Sequence, residues 1–223
     1  MIRAFVLDFD GLVIDTESAL IGAYADVHAR HGMPFDRDLF LASVGHADYS
    51  FDPWHAFEKR ADRAALEIER RRRNGELNAL LPLLPGVVEL LDGARAAGLR
   101  LGVASNSGHA HVEGHLARLG LIGNFEFFAC REDVATPKPA PDLYRLVLSH
   151  FGLRGDEAAA FEDSQTGIIA AKAAGLIAVA VPSAATGRHD FSAADLRLSS
   201  LADIRLPEFL ARFDKPNEGA GRP

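Results

Sequence analysis

Two aspartates one residue apart, Asp8 and Asp10, close the stretch AFVLDFDG from Ala4 to Gly11. The run Ala4 to Leu7 reads as a buried strand, and an unpaired buried carboxylate is costly. Carboxylates at such a place either cap a helix or shape a turn, or they face a ligand. Three other strand-like runs lead to polar groups. Leu99 to Ala104 runs into Ser105-Asn106-Ser107, and Ala158 to Phe161 into Glu162-Asp163-Ser164. Beyond Phe125 to Ala129 a loop carries Thr136-Pro137-Lys138-Pro139. Singly these are ordinary, since Asp caps helices and Ser-Asn is common in turns. Together they bring carboxylates, hydroxyls, an amide and one lysine to four strand ends. In open α/β sheets ligands bind outside the carboxyl ends of the strands, and carboxylates there are groups of acid–base and nucleophilic chemistry.

The elements that must position these groups follow from periodicity. Gly86 to Ala97 puts Val87, Leu90, Leu91 and Ala94 on one helical face, and Gly98 stops it. His109 to Leu119, Pro141 to Phe151 and Thr166 to Ala174 also read as helices, and Ile177 to Val181 as a further strand. Alternating strands and helices predict parallel pairing in a three-layer, Rossmann-like α/β core. Residues 16–82 break this rhythm, with helical patterns at Ala19 to His31 and Asp62 to Asn74 and no clear strand. The expected organisation is a core domain of residues 1–15 and 83–214, a helical cap domain of residues 16–82 inserted after the first strand, and a flexible tail from Lys215 to Pro223. Within the insertion, Arg70 to Arg73 reads as a solvated helix face.

The 223 residues are 48% hydrophobic and 25% charged, ordinary for a globular chain. A formal net charge of -7 argues against a nucleic-acid partner. No apolar run approaches the roughly 20 residues that span a membrane, and no signal peptide is read at the N-terminus. Cys130 is the only cysteine, so it reads as a small buried hydrophobe, with no internal disulfide. These features are those expected of a cytoplasmic protein.

DFDGLVIDTE, ASNS, KP and EDS, in that order, resemble the haloacid dehalogenase (HAD) superfamily, in its phosphatase and β-phosphoglucomutase-like branch with a helical cap. The resemblance covers about residues 1–15 and 83–205. It implies a phosphatase acting on a small phosphorylated metabolite, such as a sugar phosphate or a phosphoglycolate-like ester. In that chemistry Asp8 would be the nucleophile, forming an aspartyl-phosphate, and Asp10 the general acid and base. Ser105 and the Asn106 amide would hold phosphate oxygens, and Lys138 would neutralise Asp8 and the phosphate. The chain has four lysines among 24 basic residues, so a lysine between two prolines stands out. Mg²⁺ would be bound by Asp8, the Asp10 backbone carbonyl and Asp163, with Glu162 acting directly or through water. The alternative function is a β-phosphoglucomutase-like phosphomutase, but no Arg or Lys follows Gly45 in His46-Ala47-Asp48-Tyr49-Ser50. A third, non-catalytic reading as a phosphometabolite-binding protein would be expected to lack Asp8, Asp10 or Asp163.

Weaker signals remain. His111 and His115 sit at helical i, i+4 spacing and read as surface residues rather than a zinc site. His28 and His31 also read as surface residues. Trp54 and Phe57 read as core or domain-interface residues. His46 lies where this branch places a specificity loop, which makes it a candidate substrate contact from the cap.

Overall fold

β1 (Ala4–Leu7) is buried at every residue, as a parallel strand covered on both faces requires. The computed structural model describes residues 1–41, 51–58 and 61–213. After β1 come α1 (Thr16–Arg30), α2 (Arg37–Leu41), α3 (Arg63–Asn78) and α4 (Val87–Ala96). Then follow β2 (Arg100–Ala104), α5 (His109–Arg118), β3 (Phe127–Ala129), α6 (Asp142–Phe151), β4 (Ala158–Glu162) and α7 (Gln165–Ala173). β5 (Ile177–Ala180), β6 (Leu196–Arg197) and α8 (Leu206–Phe213) complete the chain's regular elements. The strands form one six-stranded sheet in the order β3-β2-β1-β4-β5-β6, and each pairing is parallel. The direction of winding reverses at β1, which opens a crevice beyond its carboxyl end.

Two apolar layers sandwich the sheet, as the alternation of strands and helices predicts. Phe5 and Leu7 pack with Leu90, Leu91, Leu116 and Phe161 on one face. Ala4 and Val6 pack with Tyr144, Val147 and Ile168 on the other. Successive strand side chains point to opposite faces, which is why β1 serves both layers. Small residues in the sheet let helices approach closely: a Cβ on Gly102 would lie 2.8 Å from Val147 Cγ1 of α6.

Several boundaries differ from expectation. α1 begins three residues earlier than its apolar pattern, because the Asp15 side chain caps it by accepting from the Ser18 amide. α3 runs on to Asn78, through Gly75. β3 begins only at Phe127, since residues 122–124 form a 3-10 turn. β6 and α8 carry no expectation from sequence. α8 depends on tertiary partners: Phe209 packs edge-on against Phe5, with ring centroids 5.7 Å apart.

Among the described residues the chain between β1 and α4 has helices and no strand. α1 packs along α3, over a small core of Val27, Trp54, Phe57 and Leu66. Trp54 and Phe57 are thus core residues. His28, expected on the surface, is buried there instead. Its ring nitrogens pair with the Tyr24 and Pro53 carbonyl oxygens, and its ring stacks on Trp54. In either neutral tautomer one ring N–H donates to one of these carbonyls. His31 is exposed and pairs with Glu69. Arg71 and Arg72 are solvated and paired with Glu67 and Glu76, while Arg70 lies over the Tyr24 ring. Cys130 is fully buried. No described helix is long and apolar enough to cross a membrane.

Gly86 precedes α4 with φ +87°, and a Cβ there would lie 2.0 Å from the Ala202 backbone nitrogen. Gly86→Ala is expected to lower the unfolding free energy by about 1–3 kcal/mol. Urea titration of both proteins checks this; coincident midpoints would show that residues 201–202 yield freely.

Candidate active site

Asp8 is the first residue beyond β1, and its amide is held by the Phe161 carbonyl of β4 at 2.9 Å. Lys138, from the loop between β3 and α6, reaches it across the crevice. The lysine is buried and donates to Asp8 Oδ1 at 2.6 Å, Glu162 Oε1 at 2.5 Å and the Ala104 carbonyl at 2.7 Å. The Asn106 side chain clamps that loop. Its Nδ2 donates to the Lys138 carbonyl at 3.2 Å, and its Oδ1 accepts from the Lys138 amide at 2.9 Å. This clamp is a role additional to the one expected of the Asn106 amide. Ser105 is buried at the end of β2, and its Oγ accepts the Ser107 amide at 3.0 Å.

Glu162 ends β4 with no exposed surface. Besides Lys138 it accepts hydrogen bonds from the Tyr144 hydroxyl and Ser164 Oγ. Asp163 follows, against Gly11: a Cβ on Gly11, whose φ is +76°, would lie 2.2 Å from Asp163 Oδ2. Glycine is therefore required there twice over, by backbone conformation and by space. Asp8, Glu162 and Asp163 can each offer a carboxylate oxygen within 4.8 Å of the others. Burial pushes the Asp8 carboxyl up to about 8, against the pull of Lys138 and with Glu162 and Asp10 adding to the rise. Burial, then Asp8 and Glu162, likewise raises Asp163 well above the usual carboxylate range. Burial acts to discharge Lys138, but Asp8 and Glu162 outweigh it and hold the ammonium charged. One cation against three buried carboxylates leaves excess negative charge, which an oxygen-preferring divalent cation would offset. The residues present fit such an ion.

Asp10 sits in different surroundings. Its Oδ1 accepts from Thr16 Oγ1 at 2.7 Å and pairs with His111 Nε2 at 2.9 Å, and its Oδ2 accepts from Ser107 Oγ at 2.6 Å. Burial alone would raise the Asp10 carboxyl, yet the hydrogen bond and charge of His111, with Ser107 and Thr16, bring it below its ordinary value. His111 is raised in turn, chiefly by its bond to Asp10. The expectation that His111 and His115 are surface residues is thereby corrected. α5 starts close behind the end of β2, so its first turn aims His111 back at Asp10. Both rings are half-buried and pack on Phe9. The available signal was nearness in sequence to the polar strand end at Ser105.

A cavity of about 340 Å³ gathers Asp8, Asp10, Ser105, Asn106, Lys138 and Asp163. Glu17, Leu20, Asn74 and Asn78, from α1 and α3, also line it, and none of these four was singled out from sequence. Glu162 stands behind the cavity, tied to Lys138. His46, and with it the stretch on which the mutase alternative turns, lies outside the described residues.

The chain matches the profile of the haloacid dehalogenase-like hydrolases over residues 2–175. It is 35% identical to YhcW of Bacillus subtilis strain 168, over 97% of this chain and 100% of YhcW. It is 32% identical to hexitol phosphatase B of Escherichia coli K12, over 94% of this chain and 97% of that protein. Among solved structures it is similar to CbbY of Rhodobacter sphaeroides in complex with phosphate. That likeness has a TM-score of 0.72 at 30% identity and covers 92% of this chain and 97% of the other.

The Asp10–His111 pair has a signed pH dependence. Asp10, held low, adds stability above about 3.8 that is lost as pH falls through its folded value. His111, held high, adds stability below about 6.5 that is lost as pH rises through its folded value. His111→Gln keeps a donor and removes the charge. The pair is about a quarter to a third exposed, so solvent screening limits the loss to about 0.5–1 kcal/mol near pH 5. Near pH 9 the loss should be smaller. Urea unfolding in a chelator at both pH values checks this; equal losses would show that the charge contributes nothing.

Proposed function

Because this chain belongs to the haloacid dehalogenase-like hydrolase family, we propose that it is a Mg²⁺-dependent phosphatase. Its substrate would be a small phosphorylated metabolite of the sugar-phosphate kind, hydrolysed through an aspartyl-phosphate on Asp8. The observation that carries this reading is the pair of aspartates in opposed environments, Asp8 against Lys138 and Asp10 against Thr16, Ser107 and His111. The nucleophile must be ionised and the acid protonated, the reverse of what burial and His111 set by themselves; a divalent cation beside Asp8 would favour its ionised form, and the proton for Asp10 would come from His111. The likeness to hexitol phosphatase B supports the same class of reaction.

In the first step an Asp8 carboxylate oxygen forms a bond to phosphorus, and the bond from phosphorus to the alcohol oxygen breaks. Asp10 gives its proton to that oxygen, with protonated His111 beside it as the store from which the proton comes. In the second step water attacks phosphorus, Asp10 takes a proton from it, and the bond to Asp8 breaks, releasing inorganic phosphate. Lys138 offsets the charge on Asp8 and the phosphoryl group, while Ser105 and the Asn106 amide hold the phosphoryl oxygens. Asp8, Asp163 and the Asp10 backbone carbonyl would hold Mg²⁺. Glu162 would act through water, because its oxygens already accept from Lys138, Tyr144 and Ser164. When bound, the ion supplies positive charge opposite the phosphate. Residues 16–82 serve as the cap, and its closure would exclude water from the reacting groups.

Phosphate release should be measured from sugar phosphates, phosphoglycolate, nucleoside monophosphates and p-nitrophenyl phosphate, each with Mg²⁺ and with EDTA. Metal-dependent release confined to one or a few esters is expected, and release from none would overturn the assignment. Asp8→Asn is expected to abolish turnover in a folded protein. Asp10→Asn should lower kcat about 10²–10⁴-fold. Full activity in Asp8→Asn would remove it as nucleophile.

A further inference from the structure

The catalytic scheme leaves one wall of the cavity without a task. α3 presents Asn74 and Asn78 to it, one helical turn apart. Asn78 is buried at 8% exposure. The Oδ1 atom of each asparagine is buried and has no hydrogen-bond partner among the described residues. Buried polar side chains are normally satisfied, and an orphaned one costs stability. Two such amides on one helix face, both lining the cavity of Asp8 and Asp10, are what a missing polar ligand would leave behind.

The wall also says which ligand chemistry fits. Its other members are Thr16, Glu17 and Leu20 of α1. Among the described residues between β1 and α4, no lysine or arginine lines the cavity. The arginines of α3 are committed elsewhere: Arg70 to Glu67, and Arg73 to Asp26 and Glu76. Arg118 reaches the end of α3 but donates to the Asn78 and Leu81 carbonyls. Among the described residues, a second phosphate or a carboxylate would find no cation on this wall and would face Glu17. A hydroxyl group, by contrast, can donate to an asparagine Oδ1 and accept from its Nδ2.

We propose that Asn74 and Asn78 are specificity-determining residues that bind hydroxyl groups on the alcohol part of the substrate. The substrate is then a neutral polyol or sugar monophosphate, rather than a bisphosphate or a phosphorylated acid. This rests on the phosphatase reading above and narrows it. The phosphoryl group is held at Asp8, Ser105 and Lys138, and the carbon chain extends to α3. Among the described residues the same wall offers no cation for the second phosphate that the mutase alternative needs.

The test compares kcat/KM for sorbitol 6-phosphate, fructose 1,6-bisphosphate, phosphoglycolate and the hydroxyl-free p-nitrophenyl phosphate. The parent enzyme is expected to favour sorbitol 6-phosphate over the bisphosphate and phosphoglycolate by at least about tenfold. Asn74→Ala and Asn78→Leu should each lose at least about tenfold more on sorbitol 6-phosphate than on p-nitrophenyl phosphate. Calorimetry of sorbitol 6-phosphate binding to Asp8→Asn, with and without Asn78→Leu, should show the same loss in Kd without turnover. Asn78→Leu, freed of an orphaned amide, should melt no lower than the parent. Parallel losses on both esters, no loss on either, or a parent preference for the bisphosphate or phosphoglycolate would overturn the proposal. Release from p-nitrophenyl phosphate but not from sorbitol 6-phosphate would sink it while leaving the phosphatase standing. Release from no ester would take both.

Discussion

A lysine with only 3% of its side chain exposed stays charged because acceptors surround it. Lys138 is the point on which the rest of the structure converges. Asp8 beyond β1, the Ala104 carbonyl of β2 and Glu162 of β4 each supply one acceptor, and the loop after β3 supplies the lysine itself. The cage closes only if β2, β1 and β4 lie side by side with their carboxyl ends level. The register of Leu7 against Val103 and Phe161 provides that level. Tyr144 of α6 and the Asn106 side chain then fix the acid and the lysine loop from behind.

The same sheet end separates two chemically identical groups. Asp8 is embedded in a ring of carboxylates and one ammonium, where burial keeps its carboxyl high. Asp10 is two residues farther on, past the strand, in a turn that Gly11 permits by its positive φ. There it meets hydroxyls and an imidazole, and its carboxyl is held low. Thr16, one of those hydroxyls, opens α1. Asp10 is therefore joined by a hydrogen bond to the helical segment, whose α3 carries the asparagine wall.

Both ring nitrogens of His28, deep in the helical segment, lie within hydrogen-bond distance of backbone carbonyls. The Oδ1 atoms of Asn74 and Asn78 are not satisfied. Proteins violate local rules of polar satisfaction mainly at functional sites, and the contrast within a single small helical unit is sharp.

Much of the core site was legible in the sequence because strand ends are local features. Asp8, Ser105 and Glu162 each follow an apolar run at once, with Asp163 next after Glu162, and in a parallel sheet such positions share one edge. Lys138 stood out between two prolines. The α/β alternation was legible for the same reason, since periods of 2 and 3.6 are written in single segments. What tertiary structure alone decided is which side chains meet across elements. His111 belongs to an ordinary helix until α5 docks with its first turn beside Asp10. Tyr144 reads as one more apolar-face residue of α6 until its hydroxyl meets Glu162. Asn74 closes the helical pattern in sequence and Asn78 lies beyond it; only α3 running on to Asn78 sets both against the crevice. Sequence determined the elements and the groups at their ends, because those depend on neighbours in the chain. The direction in which each helix aims its side chains depends on how the helices pack, and that is a property of the whole fold.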